Sequence, residues 1–354
     1  MKKSSLISIA ALAGASALVL AGCSSTGTEG GNGEGGTSST RACVILPDTE
    51  SSDRWENGDR PALEKAFTDA GFEADIQNAM GSTDQMATIA DQQLAKGCGV
   101  LLVTDYQGAG VAVTEKAQAE GIPVIAYDRP IAGADYYVSF DNVKVGELEG
   151  QSIVDGLKAN GVDPASAVVV YMGGDPSDGN AAMFKEGAVK VMEAAGIKPA
   201  AEPPGVWDTE ISAANFEQAL TSLGGHVDAV WSANDANAAG VISILDKNGL
   251  TVPVSGQDAS VAGLQNVLLG KQTATVYKPF QIEAKAASDL AIALLNGERP
   301  EADQTLEDGT PYVAVTPVLV GPEQVQSVID DGNASASELC TGDVAAACEQ
   351  YGIK

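Results

Sequence analysis

Short apolar segments alternate with longer segments of helical periodicity along most of this chain. The apolar segments are bounded by Gly, Pro or Asp and lie at residues 43–47, 100–103, 124–127, 168–172, 229–231 and 252–254. Between them, apolar side chains recur at helical spacing, as in residues 61–70, 83–96 and 108–120. This alternation predicts parallel sheets with helices on both faces.

The pattern occurs twice, first from residue 42 to about 140 and again from about 143 to 277. The folded part of the chain is long for one domain and of ordinary length for two. We therefore predict an α/β fold of two doubly wound, Rossmann-like domains. In open sheets of this type ligands bind beyond the carboxyl ends of the strands, so the functional residues are expected in the loops that follow them.

Polar residues do follow the carboxyl ends of five predicted strands. They lie at residues 48–55, 128–129, 173–180, 232–235 and 255–258, in both halves of the chain. The side chains of Asp, Asn and Arg end in planar groups that can each form two hydrogen bonds to the hydroxyls of a sugar. Aromatic rings can cover the C–H surfaces of the sugar ring. Trp55 and Trp207 lie in predicted loops beside polar residues, and we assign them to a ligand site formed by these loops. Trp231 ends a predicted strand, and we assign it to the core.

Motifs for catalysis, cofactors and metals are missing from the sequence. The Gly-rich residues 173–180 and 270–272 lack the Gly-Lys-Ser/Thr ending of a phosphate loop, and no Gly-x-Gly-x-x-Gly follows a strand. There is no Gly-x-Ser-x-Gly elbow and no EF-hand spacing, and the single histidine, His226, lies in a predicted loop. We expect no cofactor, metal or catalytic residue, although the carboxylates of Asp128 and Asp258 leave a glycosidase open.

The net charge of −28 is spread along the chain without a basic cluster. Binding to nucleic acid or to an anionic membrane surface through charge is therefore not expected.

The first forty residues have the features of an export signal followed by a tether. Lys2 and Lys3 precede an apolar run over residues 6–21, and Leu20-Ala21-Gly22-Cys23 matches the lipobox of bacterial lipoproteins. We predict a signal peptide over residues 1–22, a lipid on Cys23 and a flexible Gly/Ser tether over residues 23–40. The protein is then held at the outer face of the bacterial cell membrane.

Four further cysteines are an even number in an exported protein, so disulfides are permitted, in three possible pairings. Cys43 and Cys98 each lie just before or at the start of a predicted strand. If these two strands are neighbours in one parallel sheet, their starts lie side by side. Cys340 and Cys348 lie close together in a Gly/Ala-rich tail. We predict the pairs Cys43–Cys98 and Cys340–Cys348.

From residue 42 to about 332 the chain resembles the periplasmic sugar-binding proteins of ABC transporters, which have the type I fold. The matching segments occur in the family's order: Arg54-Trp55, Tyr127-Asp128-Arg129, Ser139-Phe140-Asp141-Asn142, Val145-Gly146-Glu147, Met172-Gly173-Gly174 with Asn180, Ser232-Ala233-Asn234-Asp235, Ser255-Gly256-Gln257-Asp258 and Val276-Tyr277-Lys278-Pro279. The resemblance implies a monosaccharide ligand, a pentose and foremost D-xylose. It would be held by Arg54, Asp128, Arg129, Asn180, Asn234, Asp258 and Lys278, with Trp55 and Trp207 against its faces.

The resemblance also implies how the chain is divided. An N-terminal lobe would comprise residues 41–141 and 279–315, and a C-terminal lobe residues 142–278 and 316–354, joined by a three-strand hinge. The implied partner is an ABC transporter permease, and we expect a monomer. Three alternatives stay open: a sensory protein that reports to a receptor, an extracellular carbohydrate-active enzyme, and a regulator of the same fold, which would need a DNA-binding motif where this chain has its export signal.

Overall fold

Two largely parallel sheets organise the chain, which the computed structural model describes over residues 40–52 and 54–354. The predicted signal peptide, Cys23 and the tether up to residue 39 lie outside the described residues. The strands are β1 (Arg41–Leu46), β2 (Glu73–Asn78), β3 (Val100–Val103), β4 (Val124–Tyr127), β5 (Tyr136–Phe140), β6 (Val169–Met172), β7 (Pro199–Ala201), β8 (Ala229–Ser232), β9 (Thr275–Tyr277), β10 (Gln304–Thr305), β11 (Pro311–Val315) and β12 (Val318–Val320).

The helices lie on both faces of the sheets. They are α1 (Arg60–Asp69), α2 (Thr83–Ala95), α3 (Gly110–Ala119), α4 (Asn142–Ala159), α5 (Gly179–Ala194), α6 (Thr209–Ser222), α7 (Asp235–Lys247), α8 (Val261–Leu268), α9 (Phe280–Leu295), α10 (Val325–Asp330), α11 (Ala336–Leu339) and α12 (Ala345–Tyr351). Among the described residues, no helix combines the length and apolar character needed to cross a membrane.

The first lobe is built on a seven-stranded sheet with the order β10-β11-β5-β4-β3-β1-β2, in which only β10 runs antiparallel to its neighbour. The strands β1, β3 and β4 are almost wholly buried, as expected of continuous apolar runs in a sheet covered on both faces. Phe67 of α1 and Ala287 of α9 pack in the core on one face, and Ile89 of α2 and Val113 of α3 pack in the core on the other.

The second lobe contains the parallel sheet β7-β6-β8 and the antiparallel pair β9 and β12. Single bridges, from Val254 to Val230 and from Gln257 to Val276, connect the two parts. Leu157 of α4 and Phe184 of α5 pack with β6 on one face, and α6 and α7 cover the other. The segments after β12 pack with α8 around Leu264 and Leu339.

Polar helix caps place side chains at the carboxyl edge of both sheets. The first N–H groups of a helix lack internal partners, and a side-chain oxygen before the helix accepts from them. The caps, all of which accept from a backbone N–H two or three residues ahead, are Ser82, Asp141, Asp178, Asp208, Asn234 and Ser260.

The chain passes between the lobes three times: from β5 to α4, from β9 to α9 and from β11 to β12. These passages agree with the predicted three-strand connection and with the α/β type I fold.

Both predicted disulfides form. Cys43 bonds Cys98, with their Cα atoms 5.8 Å apart, and Cys340 bonds Cys348. The premise of the first pairing is met, because β1 and β3 are parallel neighbours, with Cys43 opposite Leu101.

Five of the six predicted strands are confirmed to within two residues at each end, and the sixth is wrong. Residues 252–254 form only the bridge at Val254, because Pro253 has no N–H to donate to a strand ladder. The sequence reading also missed β2, β5, β7 and β9 to β12. The prediction of a loop at Trp55 is wrong as well, since Trp55–Asp59 is a wide helical turn that leads into α1.

Candidate ligand-binding site

A polar cavity lies between the two lobes, beyond the carboxyl ends of the strands. It encloses about 380 Å³ including its opening, and all nine residues predicted to bind ligand line it. The full lining is Ser51, Ser52, Arg54, Trp55, Asp128, Arg129, Asp178, Asn180, Phe184, Trp207, Asn234, Gln257, Asp258 and Lys278.

Arg54 reaches the cavity from a buried cluster of carboxylates. Its Nε and Nη2 donate to Asp59 at 2.7 Å, its Nη2 also pairs with Glu283, and its Nη1 donates to Asp128 Oδ1 at 3.1 Å. Burial by itself would lower the pKa of Arg54, but the nearby Asp59, Glu283 and Asp128 raise that pKa well above its ordinary value. Tyr127 donates its hydroxyl to Asp59 from behind. Contacts within the protein therefore fix the orientation of the Arg54 guanidinium without a ligand.

Asp128 lies at the junction of the lobes in a left-handed backbone conformation, with φ of 62°. Its carbonyl oxygen accepts from Asn180 Nδ2 at 2.7 Å, so only one N–H of the Asn180 amide remains for a ligand. Asn180 Oδ1 accepts from Asn142 Nδ2 at 3.0 Å. Tyr137 Oη lies 2.9 Å from the Asp128 carbonyl oxygen and 2.7 Å from Asn180 Oδ1, and it can donate its single hydrogen to one of them at a time. Strain of this kind in non-glycine residues concentrates at functional sites.

Arg129 is also held mainly by protein groups. Its Nη1 donates to the carbonyl oxygen of Asp105 and its Nη2 to Ser51 Oγ, both at 3.0 Å, and its Nε lies 3.4 Å from Asp178 Oδ2. Two of the five guanidinium N–H groups are left for a ligand.

Aromatic rings enter the cavity from both lobes. Trp55 is almost wholly buried and packs in the first-lobe core, with the Arg54 guanidinium 4.8 Å from its ring centre. Trp207 of the second lobe packs edge-on against Phe184 at 6.5 Å. A Cβ on Gly174 would lie 2.1 Å from the Trp207 ring, so a glycine is required for this close approach.

The second lobe contributes Asn234, Asp258 and Lys278. Asn234 Oδ1 caps α7 by accepting from the Asn237 N–H at 2.8 Å, which leaves its Nδ2 to donate to a ligand. Lys278 Nζ lies 3.0 Å from Asp258 Oδ1. Burial opposes the charge of Lys278, but Asp258 and Asp128 raise its pKa above the ordinary value.

Gln257, which the sequence reading did not select, adds a buried acceptor to the lining. It is 2% exposed, and its Oε1 has no hydrogen-bond donor among residues 40–52 and 54–354. Buried polar atoms are nearly always satisfied, so a cavity-lining acceptor of this kind is suited to a ligand hydroxyl.

Ser51, Ser52, Asp178 and Phe184 also line the cavity without having been predicted. Asp178 had a usable signal, since it is an Asp directly before a helical segment, where a side-chain cap is expected. Asp59 and Glu283, which fix Arg54 from behind, gave none, because a carboxylate on a helix is ordinarily solvent-facing.

The two remaining features to consider among the described residues are the single histidine and possible metal-binding groups. His226 is largely exposed and lies near Asp228, away from the cavity lining. The described part of the chain has no group of three or more His, Cys, Asp or Glu side chains arranged to hold a metal ion.

Comparison with known proteins agrees with this geometry. Residues 43–299 match the model of the periplasmic binding protein domain family. The chain is 36% identical over 306 residues to the D-xylose-binding periplasmic protein of Escherichia coli, covering 81% of this chain and 89% of the relative. It is 31% identical over 318 residues to the multiple sugar-binding periplasmic receptor ChvE of Rhizobium radiobacter, covering 82% and 89%.

Among solved structures, an ABC transporter solute-binding protein from Clostridium phytofermentans with bound β-D-glucose superposes with a TM-score of 0.75 at 27% identity, covering 84% of this chain and 99% of that one. The resemblance to the sugar-binding proteins of ABC transporters is therefore confirmed, and the chain belongs to the periplasmic binding protein family.

Proposed function

We propose that this protein captures a neutral monosaccharide, foremost D-xylose, in the interlobe cavity and delivers it to the permease of an ABC transporter. The observation that carries the proposal is the cavity lining itself, which combines polar side chains that have unused hydrogen-bonding capacity with a tryptophan ring from each lobe. That combination matches a sugar, which has hydroxyls around its edge and C–H groups on its faces.

The charges of the cavity favour an uncharged ligand. Each lining cation is already paired with a carboxylate: Arg54 with Asp128, Arg129 with Asp178 and Lys278 with Asp258. A uronic acid or a sugar phosphate would bring a further negative charge into a partly buried site without an unpaired cation to receive it. Neutral hydroxyls can instead bond to the free N–H groups, to the carboxylates and to Gln257 Oε1.

D-xylose is proposed because of the 36% identical relative, whose name states that ligand. The solved structure at 27% identity holds β-D-glucose, so glucose is the first competitor to test. We assign Arg54, Trp55, Asp128, Arg129, Asn180, Trp207, Asn234, Asp258 and Lys278 as ligand-binding residues and add Gln257.

Capture would occur by closure of the two lobes. The proposed rigid parts are residues 41–141 with 279–315 and residues 142–278 with 316–354, which move about the three connections. A sugar bound to both lobes favours closure only by its additional contacts in the closed state. The closed pair of lobes then forms the surface that the permease reads. We propose that the protein acts as a monomer, without a catalytic step.

Retention at the membrane is assigned to a lipid on Cys23. The Gly/Ser tether over residues 23–40 would let the folded lobes move about 20–25 Å from the lipid surface. An anchored binder stays near its permease, at an effectively raised concentration.

The test is calorimetry with xylose, arabinose, ribose, glucose, galactose, glucuronate and xylose 5-phosphate. We expect one or more neutral sugars to bind, xylose with the lowest Kd, and the two anionic sugars to give no heat. Binding of the anions alone, or of nothing, contradicts the proposal. Conversion of a pentoside during incubation would indicate the carbohydrate-active enzyme instead.

A sensory role at the same site is favoured by one observation, the name of the 31% identical relative, which is a receptor. Reconstitution separates the two roles. Sugar uptake into vesicles with the permease and this protein supports transport, whereas binding without uptake supports sensing.

A further inference from the structure

The two tryptophans of the cavity are connected by one polar bridge that crosses from lobe to lobe. Trp55 Nε1 donates to Ser51 Oγ at 3.0 Å, and Arg129 Nη2 donates to the same oxygen at 3.0 Å. On its other side Arg129 Nε lies 3.4 Å from Asp178 Oδ2, which accepts from Trp207 Nε1 at 3.1 Å. We call Trp55, Ser51, Arg129, Asp178 and Trp207 the tryptophan bridge.

Ser51 has no hydrogen-bonding capacity left for a ligand. Its hydroxyl hydrogen is donated to Asp48 Oδ2 at 2.8 Å, and its two acceptor positions are taken by Trp55 and Arg129. Asp48 Oδ1 also accepts from the Ser51 N–H, which fixes the loop that carries the hydroxyl. Ser51 therefore acts on the cavity only through the groups it orients.

Asp178 holds a comparable position in the second lobe. Its Oδ1 caps α5 by accepting from the Asn180 N–H at 2.9 Å, which leaves Oδ2 to meet both Arg129 and Trp207. The Arg129 and Asp178 side chains are only 11% and 9% exposed, so solvent screens their attraction far less than that of a surface pair.

The bridge also forms a wall of the cavity. Ser51, Arg129, Asp178 and Trp207 line both the inner cavity and an outer groove whose lips carry the exposed side chains of Met80 and Ile211. These four residues therefore lie between the inner cavity and solvent on that side.

We propose that Ser51 and Asp178 are positioning residues, which through Arg129 hold the two indole rings at a fixed separation and close one mouth of the cavity. This inference rests on the proposed function. Within the bridge, only the contact between Arg129 and Asp178 joins the lobes, because its other contacts lie within one lobe. Separating the two halves of the bridge therefore breaks one ion pair and leaves each tryptophan attached to its own lobe.

A double-mutant cycle on sugar binding tests the bridge. Ser51→Ala and Asp178→Asn are each expected to raise the Kd for D-xylose, and its dissociation rate, about tenfold, since each leaves charged or buried donors without an acceptor. If the bridge acts as a unit, the double variant also shows about a tenfold rise and not the hundredfold product. Residues in different lobes with separate structural roles would give the product.

Two control variants sharpen the cycle. Ser51→Thr keeps the hydroxyl and is expected to restore the wild-type Kd. Asp175→Asn makes the same charge change in the loop of Asp178, but the Asp175 carboxylate accepts from the backbone N–H and hydroxyl of Ser177 and lines the outer groove. We expect its Kd to stay within twofold of the wild type. Unchanged binding in Ser51→Ala and Asp178→Asn, or multiplying effects, would overturn the bridge while leaving sugar binding intact.

Failure of the proposed function has a different signature, namely a wild-type protein that binds no sugar of the panel. In that case the same cycle is measured on the distance between nitroxide labels at K65C in the first lobe and K190C in the second. The bridge predicts that Ser51→Ala, Asp178→Asn and the double variant lengthen the mean distance equally. Identical distances in all four proteins would overturn it.

Discussion

Arg54 and Asp59 form a two-pronged ion pair in which Nε and Nη2 meet the two carboxylate oxygens at 2.7 Å. The pair is buried, with side-chain exposures of 10% and 0%. Removing one member of such a pair leaves uncompensated charge in a low-dielectric environment, which is far more costly than losing a surface pair.

Arg54→Met is therefore expected to lower the free energy of unfolding by about 3–5 kcal/mol and to abolish sugar binding. Lys65→Met, on α1, is the matched control, because Lys65 pairs with Asp69 at the surface and its loss is expected to cost less than about 1 kcal/mol. Urea unfolding and calorimetry measure both variants. Equal stability of the two variants would contradict the assignment of Arg54 to a buried charge cluster.

Glu283 predicts a pH dependence of stability. Burial, partly offset by Arg54 and reinforced by Asp128 and Asp59, raises its pKa from 4.5 to about 8. The folded protein then holds a proton that the unfolded chain has already lost between about pH 4.5 and 8, so stability falls as pH rises through this window.

Glu283→Gln is expected to remove the contribution of this one proton to the slope of the free energy of unfolding against pH. That contribution is about 1.4 kcal/mol per pH unit within the window. Asp289→Asn, an exposed position on the same helix, serves as the control and is expected to keep the wild-type slope. Urea unfolding at half-unit steps from pH 5 to 8 measures the slopes. A Glu283→Gln slope equal to that of the wild type would show that Glu283 is ionised in the folded protein.

Alanine substitutions at the adjacent residues Gly173 and Gly174 are expected to affect the Kd for sugar differently. A Cβ on Gly174 would lie 2.1 Å from the Trp207 ring, whereas a Cβ on Gly173 would meet its nearest neighbour, Trp231, at 4.0 Å. Gly174→Ala is expected to displace Trp207 and raise the Kd at least tenfold, while Gly173→Ala leaves the Kd within about twofold. Calorimetry gives the Kd values, and similar effects of the two changes would contradict a role of Trp207 in binding.

The two disulfides are expected to stabilise the fold unequally. Cys43 and Cys98 are 55 positions apart and Cys340 and Cys348 only 8, and a longer closed loop restricts the unfolded chain more. Replacing the first pair by Ala is expected to cost about 4 kcal/mol and replacing the second about 2.5 kcal/mol. Urea unfolding of both double variants checks the order, and the reverse order would show that native-state contacts of the tail outweigh loop closure.

Cys23 is expected to carry the lipid. Cells that express the wild-type chain and are fed radioactive palmitate should label the protein and retain it with membranes, and Cys23→Ser should abolish both. Cys340→Ser, which changes another cysteine, should keep the label. Membrane retention of the Cys23→Ser variant would contradict the anchor.

Residues that directly follow apolar strands could be located from the sequence. Asp128 after β4 and Asn234 after β8 are examples, because the carboxyl edge of a parallel sheet gathers such residues whatever the details of packing. Cys43 and Cys98 were paired by the same logic, through neighbouring parallel strands.

Residues whose role depends on tertiary contact could not be located in this way. Glu283 lies on α9 and meets Arg54 across 229 positions, and neither Glu283 nor Asp59 differs in local pattern from a solvated helical carboxylate. The strands β9 to β12 are short and partly polar, so their pairing depends on the lobes and not on periodicity. Trp55 was assigned to a loop because the polar residues around it conceal a helical turn.

The threefold passage of the chain between the lobes determines the order in which the protein can fold. Strand β5 acquires its outer neighbour only when β11, Pro311–Val315, has been made, and the carboxyl group of Glu283 meets Arg54 only after α9 has been made. A chain emerging from its N terminus therefore cannot complete either lobe until most of it has left the ribosome. Such long-range closure slows folding, so the cavity between the lobes can form only after most of the chain has been made.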